Sequence, residues 1–324
     1  MNIEKMKKNA KRMFLDCCGL KAGESVMILT DDGQDAILSE ILFEAAQELN
    51  AIPIIFKIKA IAPGGELPLL VCEAAKVADL IIGATSTSTY HCEGFRIACL
   101  PPYHARMQAL SEWVPDTLEN GGIEADFKAS AALTKKVAAR IHNGKHLKLT
   151  TPAGTNLEAD IEGRYGEANT GILEGPCEKM GIPTIEAYCA PTEGKINGHI
   201  TVDGSCSGGV GLVKTPIEID VVDGKAVQIT GGEEAQKLKK RLEEAGTPNA
   251  YQVAEIAVGL NPACRMIGVV NEDEGKYGTC HCALGNNTDM HGFNYAPLHI
   301  DMVQWKPTLE IDGELIFKDG VCLL

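Results

Sequence analysis

The chain has 324 residues, of which 45% are apolar and 23% charged, and its net charge is −14. That length supports one large domain or two ordinary ones, each with its own core, and the composition is that of a soluble globular protein. The acidic balance argues against nucleic-acid and anionic-membrane partners, which need a basic surface, and no stretch approaches the ~20 apolar residues of a membrane span.

Residues 2–18 place Ile3, Met6, Ala10, Met13 and Phe14 at helical spacing with lysines on the other face. This segment lacks the apolar core of a secretion signal, so a cytoplasmic location is expected. Twelve cysteines are scattered without a Cys-x-x-Cys pair, mostly among apolar neighbours. They fit buried, reduced thiols in a reducing compartment.

Residues 24–30 and 52–58 form short apolar runs suited to buried strands, with a helix expected over 32–50 between them. A second helix is expected over 68–77 and a third strand over 79–84. Arg96-Ile-Ala-Cys-Leu is expected as a fourth strand, and residues 124–142 as a long helix rich in Ala and Lys. Strands alternating with helices imply a mostly parallel α/β sheet in an N-terminal domain, residues 1–146. The strand ends, Thr30-Asp31-Asp32-Gly33 and Gly83-Ala-Thr-Ser-Thr-Ser-Thr, carry neither Gly-x-Gly-x-x-Gly nor Gly-x-x-x-x-Gly-Lys-Ser/Thr, so a nucleotide site is not expected. Tyr90, His91 and His104 follow the third strand. They are candidate cleft residues, against the plainer reading of solvated loop positions.

Past His146 turn signals multiply and long helices become few. His146-Leu-Lys-Leu-Thr and Asn156-Leu-Glu-Ala-Asp alternate apolar with polar, and Asp223-Gly224 and Asp312-Gly313 are hairpin signatures. Residues 231–246 read as a charged amphipathic helix with a solvated face. An α+β, β-rich C-terminal domain, residues 147–324, is therefore expected to carry the chemistry.

Within it, residues 254–301 gather Glu255, His281, His299 and Asp301. If residues 298–303 are a strand, His299 and Asp301 leave on one face. Imidazole nitrogen with carboxylate oxygen suits a first-row divalent ion such as Zn, Co, Mn or Fe, although an ordinary half-buried strand also carries His-x-Asp. Cys280 and Cys282 flank His281 and are expected on the opposite face. Upstream, Glu186 and Tyr188 share a face if their segment is extended. Glu186 sits in an apolar run, a setting for a general base or for a carboxylate between metals. Glu193 reads as structural, in a turn, and Lys195 and His199 as partners for nearby carboxylates.

Five segments in order resemble the aminopeptidase T family of metallo-aminopeptidases, in its shorter, leucyl aminopeptidase-like form. They are Ile182-Pro-Thr-Ile-Glu186-Ala-Tyr with Ala190-Pro-Thr-Glu193-Gly, Val202-Asp-Gly-Ser-Cys-Ser-Gly, Ala254-Glu255-Ile-Ala-Val-Gly-Leu-Asn-Pro, Gly278-Thr-Cys-His281-Cys-Ala-Leu-Gly, and His299-Ile-Asp301. The resemblance implies a homodimer acting on a small-molecule or peptide substrate, with two divalent metals per chain, zinc or cobalt, or else manganese or iron. It implies metal binding by Glu186, Glu255, His281, His299 and Asp301. A metal-activated water would cleave an N-terminal residue or small amide, with Glu186 as base or ligand. The chain departs from the longer peptidases at Ile185, where they carry a second glutamate, and at Thr288, where they carry tyrosine. It is also similar to the iron-dependent 2,5-dihydroxypyridine 5,6-dioxygenases, which hold one Fe(II) through two histidines and an aspartate. His299 and Asp301 match two of those ligands, and Glu255 stands at the third. A two-histidine, one-carboxylate set of His281, His299 and Asp301 is a further expectation from the residue types.

Overall fold

Two short runs with few polar residues, Ser25–Asp31 and Leu80–Gly83, lie side by side as parallel strands. They are buried almost throughout, as a continuous apolar run in a parallel sheet requires. The structure, a computed structural model, describes every residue except Pro63, Gly64 and His91.

The first of two compact units contains Met1–Lys128 and Thr170–Pro183. Its sheet has the order Ile52–Ile58, Ser25–Asp31, Leu80–Gly83, Arg106–Ala109, Lys179–Gly181, all parallel. On one face Met27, Leu29, Ile81 and Met107 pack with Val71, Phe95, Ala98 and Cys99. The helix Ala36–Glu48 starts where the Asp35 side chain accepts the Ile37 N–H at 3.1 Å, which satisfies one of the free donors at a helix start. The helix Ile3–Arg12 runs into one π-helical turn, Met13–Cys17, and its apolar residues Met6 and Ala10 are buried as their spacing predicts.

The expected fourth strand is corrected. Arg96 to Ala98 belong to the helix Glu93–Ala98, and the fourth strand is Arg106–Ala109. The spacing of Phe95, Ala98 and Cys99 (i, i+3, i+4) turns all three into one core, which a strand cannot do. The sequence also drew a single boundary between residues 146 and 147. The chain instead changes unit after Lys128, Asn169 and Pro183, so most of the helix Phe127–Asn143 belongs to the second unit.

That second unit, Ala129–Asn169 with Thr184–Leu324, holds two antiparallel sheets. One has eight strands, in the order Lys225–Thr230, Ile217–Val222, Ile196–Val202, Asn156–Asp160, His146–Thr150, Thr308–Ile311, Glu314–Lys318, Val321–Cys322. Asp223 and Gly224, and Asp312 and Gly313, all have φ between 48° and 82°, the left-handed pair that a two-residue hairpin needs. The other sheet has seven strands, ordered Gly211–Leu212, Ser205–Cys206, His299–Trp305, Thr279–Gly285, Val253–Gly259, Glu186–Cys189, Glu167–Asn169. Its three central strands are buried almost throughout, so a polar residue there needs a partner. Among the described residues, no helix is long and apolar enough to cross a membrane.

On the eight-stranded sheet His199 lies between Asp220 and Glu218, each 2.7 Å from one of its ring nitrogens, and Lys195 pairs with Asp160 at 3.0 Å. Burial lowers the His199 pKa, and the two carboxylates outweigh it and raise the group above its usual value. A raised histidine stabilises the fold below its unfolded pKa, and that contribution is lost as pH rises through the folded value. Replacing His199 by Gln is therefore expected to lower the urea midpoint at pH 5.5 and to leave it nearly unchanged at pH 9. Equal losses at both values would show that the ring contributes by packing alone.

Candidate metal centre

The antiparallel register of the seven-stranded sheet decides which side chains meet. Glu186 pairs with Gly259, Tyr188 with Ala257, Ala257 with His281, and Glu255 with Ala283, which in turn pairs with Asp301; Gly285 pairs with His299. Paired residues of a ladder leave on the same face, so Glu186, Tyr188, Glu255, His281, His299 and Asp301 all share one. Glu186 and Tyr188 therefore share a face as expected. Cys280 and Cys282 fall on the reverse face, where each thiol lies near Oε1 of buried Gln304, at 3.3 and 3.8 Å.

The five candidate ligands converge. Nε2 of His299 stands 3.0 Å from Oε2 of Glu255 and 3.0 Å from Oδ1 of Asp301. Nε2 of His281 stands 3.3 Å from Oε2 of Glu186 and 3.7 Å from Oε1 of Glu255. Glu255 thus divides its two oxygens between the two imidazoles. Each ligand group within 4.8 Å contains one histidine and two carboxylates: Glu186, Glu255 and His281; Glu255, His299 and Asp301; Glu274, His281 and Asp301. The expected set of His281, His299 and Asp301 is not among these groups of the described residues, because the two imidazoles lie on either side of Glu255.

Glu274 was missed by the sequence reading. It follows two other acids, Glu272 and Asp273, with different tasks: Glu272 holds Arg265 at 2.8 Å, and Asp273 accepts the Ile267 and Gly268 N–H groups. Glu274 accepts from Thr184 Oγ1 at 2.9 Å. An acidic run reads as a solvated surface, and only the tertiary fold separates its third member.

Hydrogen bonding fixes the ligands. Nδ1 of His299 donates to the Asn286 carbonyl at 2.7 Å, which orients Nε2 toward the two carboxylates, as the outer contacts of metal-bound histidines do. Ser207 Oγ accepts the Asp301 N–H at 2.8 Å. Asn169 bonds Glu186. Oε2 of Glu186 and Nδ1 of His281 are buried and make no hydrogen bond among the described residues.

Burial, reinforced by Glu255 and Asp301 and opposed by His281, pushes the Glu186 carboxyl up to about 8. Burial also pushes Glu255 up, but His281 and His299 overcome it and hold that carboxyl below its ordinary value. Burial opposes protonation of both imidazoles. The carboxylates overcome it, holding His281 up at about 10 and His299 well above its usual value. Burial, Glu186 and Asp301 push Glu274 well above the carboxylate range.

Such an arrangement needs positive charge at its centre. A divalent ion fits: two ligand atoms about 2.1 Å from one ion and at right angles to each other lie about 3.0 Å apart, the separation seen around His299. The mixture of oxygen and imidazole suits iron, manganese or zinc and excludes a thiolate site.

Other candidates are placed elsewhere. Glu193 accepts from Asn287 Nδ2 at 2.9 Å and from the Phe293 N–H at 2.8 Å and pairs with Arg164, a structural role. In the first unit the Tyr90 hydroxyl donates to the Lys179 carbonyl at 3.2 Å, and His104 Nδ1 lies 3.4 Å from Cys177 Sγ. His91 lies outside the described residues.

The chain is similar to several known proteins. A sequence profile described as 2,5-dihydroxypyridine 5,6-dioxygenase matches residues 7–323. The 2,5-dihydroxypyridine 5,6-dioxygenase of Pseudomonas putida KT2440 is 21% identical over 197 residues, 56% of this chain and 55% of that protein, so the match spans about half the length of the curated relative. The solved structure of a 2,5-dihydroxypyridine dioxygenase from the same organism has a TM-score of 0.85 at 17% identity, covering 100% of this chain and 98% of that one. Wild-type AmpT from Thermus thermophilus has a TM-score of 0.71 at 16% identity, covering 99% of each chain. At these identities the two structures show a shared fold. The aminopeptidase resemblance is thus one of fold, and the family profile is that of the dioxygenase.

Because the imidazoles are held protonated without an ion, loading with Mn(II) at pH 7 is expected to release protons and raise the melting temperature. Calorimetry in two buffers of different ionisation enthalpy measures the first, and a thermal scan the second. Asp301→Asn and His299→Ala are expected to abolish both effects.

Proposed function

The chain belongs to the 2,5-dihydroxypyridine 5,6-dioxygenase family, and from that premise we propose that it is a metal-dependent oxygenase that opens a dihydroxylated aromatic ring. The observation that carries this reading is the convergence of Glu255, His299 and Asp301 in a chain that matches the family profile from residue 7 to residue 323. These three residues would hold one Fe(II). A bound Fe(II) supplies a Lewis-acidic, redox-active centre for a ring substrate and dioxygen.

The protein's own groups prepare that centre. The Asn286 carbonyl fixes the ring of His299 through Nδ1–H, so that Nε2 is the nitrogen offered to an ion once its proton leaves. Glu186, whose carboxyl burial pushes up to about 8 before any ion binds, is placed to take or give a proton, as a hydroxylated ring requires. The buried thiols on the reverse face are shielded from the ligand side by the sheet itself.

A second reading is favoured by one observation, the division of Glu255 between His281 and His299. A carboxylate that faces two such groups is placed to bridge two ions, which suits a dinuclear hydrolase acting on an aminoacyl amide with zinc or cobalt. The family profile favours the oxygenase, so the hydrolase stands second. Both readings keep the chain as a homodimer acting on a small molecule, with the dimer checked by sedimentation.

Metal analysis of protein purified without added metal separates the two. The oxygenase predicts about one iron per chain and oxygen uptake with a dihydroxylated ring, both lost in Asp301→Asn. About two zinc or cobalt ions per chain with amide turnover, and no oxygen uptake by the Fe(II)-loaded protein, would transfer the assignment to the hydrolase. In either case Glu186→Gln is expected to cut turnover by on the order of a hundredfold; loss of metal in that variant makes Glu186 a ligand instead.

A further inference from the structure

The ligand-bearing face of the seven-stranded sheet continues beyond the ligands. Glu167 pairs with Tyr188, Tyr188 with Ala257 and Ala257 with His281. These residues leave on one face, so a row runs from the sheet edge to its centre: carboxylate, phenol, methyl, imidazole. The methyl of Ala257 is the low point of that row. In the next row Glu186 pairs with Gly259, over which the backbone of residues 274–276 lies so closely that a Cβ would meet the Lys276 carbonyl oxygen at 2.3 Å. Ala257 is thus the small residue between Tyr188 and the ligand His281.

Glu167 is the outermost carboxylate of this row, and its contacts are long. Its Oε2 accepts from the Tyr188 hydroxyl at 3.4 Å. Its Oε1 stands 3.3 Å from Nε2 of His291 and makes no hydrogen bond among the described residues. Burial, with the charge of Glu255, pushes this carboxyl above its usual range against the pull of His291 and Tyr188. Oε1 is buried behind His291, so it is at Oε2 that an arriving donor improves on the long Tyr188 contact.

The Glu167 side chain is partly exposed beside two rings whose planes are inclined by 35°. The His291 ring lies 4.4 Å from that of Tyr165, centroid to centroid, and both side chains are exposed. The loop that carries His291 is held in place: Arg164 donates to the His291 carbonyl at 3.4 Å, and Glu193 accepts the Phe293 N–H. The ring is thus a fixed wall beside an acceptor.

We propose that Glu167 receives an N–H group of the substrate at Oε2, with the Tyr165 and His291 rings as the wall beside which that group enters. The inference deepens the functional reading above and rests on it. Both chemistries considered there present such a group: a hydroxypyridine offers a ring N–H in its pyridone form, and an aminoacyl amide offers a free amine. Hydroquinone, the carbocyclic counterpart, offers none.

The test is anaerobic calorimetry on the metal-loaded full chain with two matched pairs of probes, 2,5-dihydroxypyridine against hydroquinone and L-leucinamide against 4-methylpentanamide. Wild type is expected to prefer the N–H-bearing member of one pair by on the order of tenfold, the scale of one hydrogen bond to a charged acceptor. Glu167→Gln is expected to remove most of that preference while metal content and affinity for the other member stay unchanged. Glu167→Asp, which keeps the acceptor, is expected to retain part of it, and Tyr165→Ala to weaken both members alike. An undiminished preference in a Glu167→Gln protein that keeps its metal overturns the recognition role and leaves the functional reading standing. Loss of metal in that variant makes Glu167 part of the ligand scaffold and also overturns the role. Failure of wild type to bind any of the four probes overturns the functional reading, and the recognition role with it.

Discussion

One buried carboxylate organises this site. Glu255 lies on a strand with no exposed residue and faces an imidazole with each of its oxygens. Taking a lone carboxylate out of water costs several kcal/mol even after the protein relaxes. The strand can carry Glu255 only because the next two strands present His281 and His299 to it. Remove either imidazole, and one oxygen of Glu255 loses its partner in an apolar sheet. The same pairing holds Glu255 ionised while neighbouring Glu186 and Glu274 are pushed toward the neutral form.

The register carries this arrangement more than any single loop does. In a sheet whose central strands are buried, a slip of one residue would turn every ligand to the reverse face, among the cysteines. The positions between the ligands are small: Ala257, Gly259, Ala283 and Gly285 all face the same way as the ligands. Over Gly259 the backbone of residues 274–276 closes in, and a Cβ there would lie 2.3 Å from the Lys276 carbonyl oxygen. Gly285 also has φ of 114°, and a Cβ on it would lie 2.3 Å from the Leu298 carbonyl oxygen. A side chain at that position would push away the segment leading into His299.

Much of this was legible in the sequence, and the reasons differ by element. Asp223-Gly224 and Asp312-Gly313 announce their hairpins because few other pairs tolerate two consecutive left-handed residues. His299 and Asp301 announce a shared face because strand periodicity is strict. The strand Arg106–Ala109 was hidden: it is four residues long and contains Gln108, a polar residue buried at 0% exposure, so no apolar run marks it. Residues 96–100 took its place in the reading because a short apolar run does not reveal its period. Glu274 was hidden by its neighbours, three acids in a row that look like one solvated patch. The strand Lys179–Gly181 joins the parallel sheet of the first unit after the chain has been through the second, and no local signal records such a return.

Charge balance bears on how the centre works. Glu186, Glu255, Glu274 and Asp301 bring four carboxylates to two imidazoles. With both imidazoles neutral and acting as ligands, two divalent ions make the group neutral. One ion, held by Glu255, His299 and Asp301, leaves His281 protonated among its carboxylates, and the group is then neutral when one carboxyl keeps its proton. Burial points to Glu186 or Glu274 for that, since both are pushed upward while Glu255 is held down. The mononuclear form would then keep protons on His281 and on one carboxyl near its ion. The dinuclear form would trade those protons for a second Lewis acid. The number of ions bound would thus decide which protons remain for the reaction.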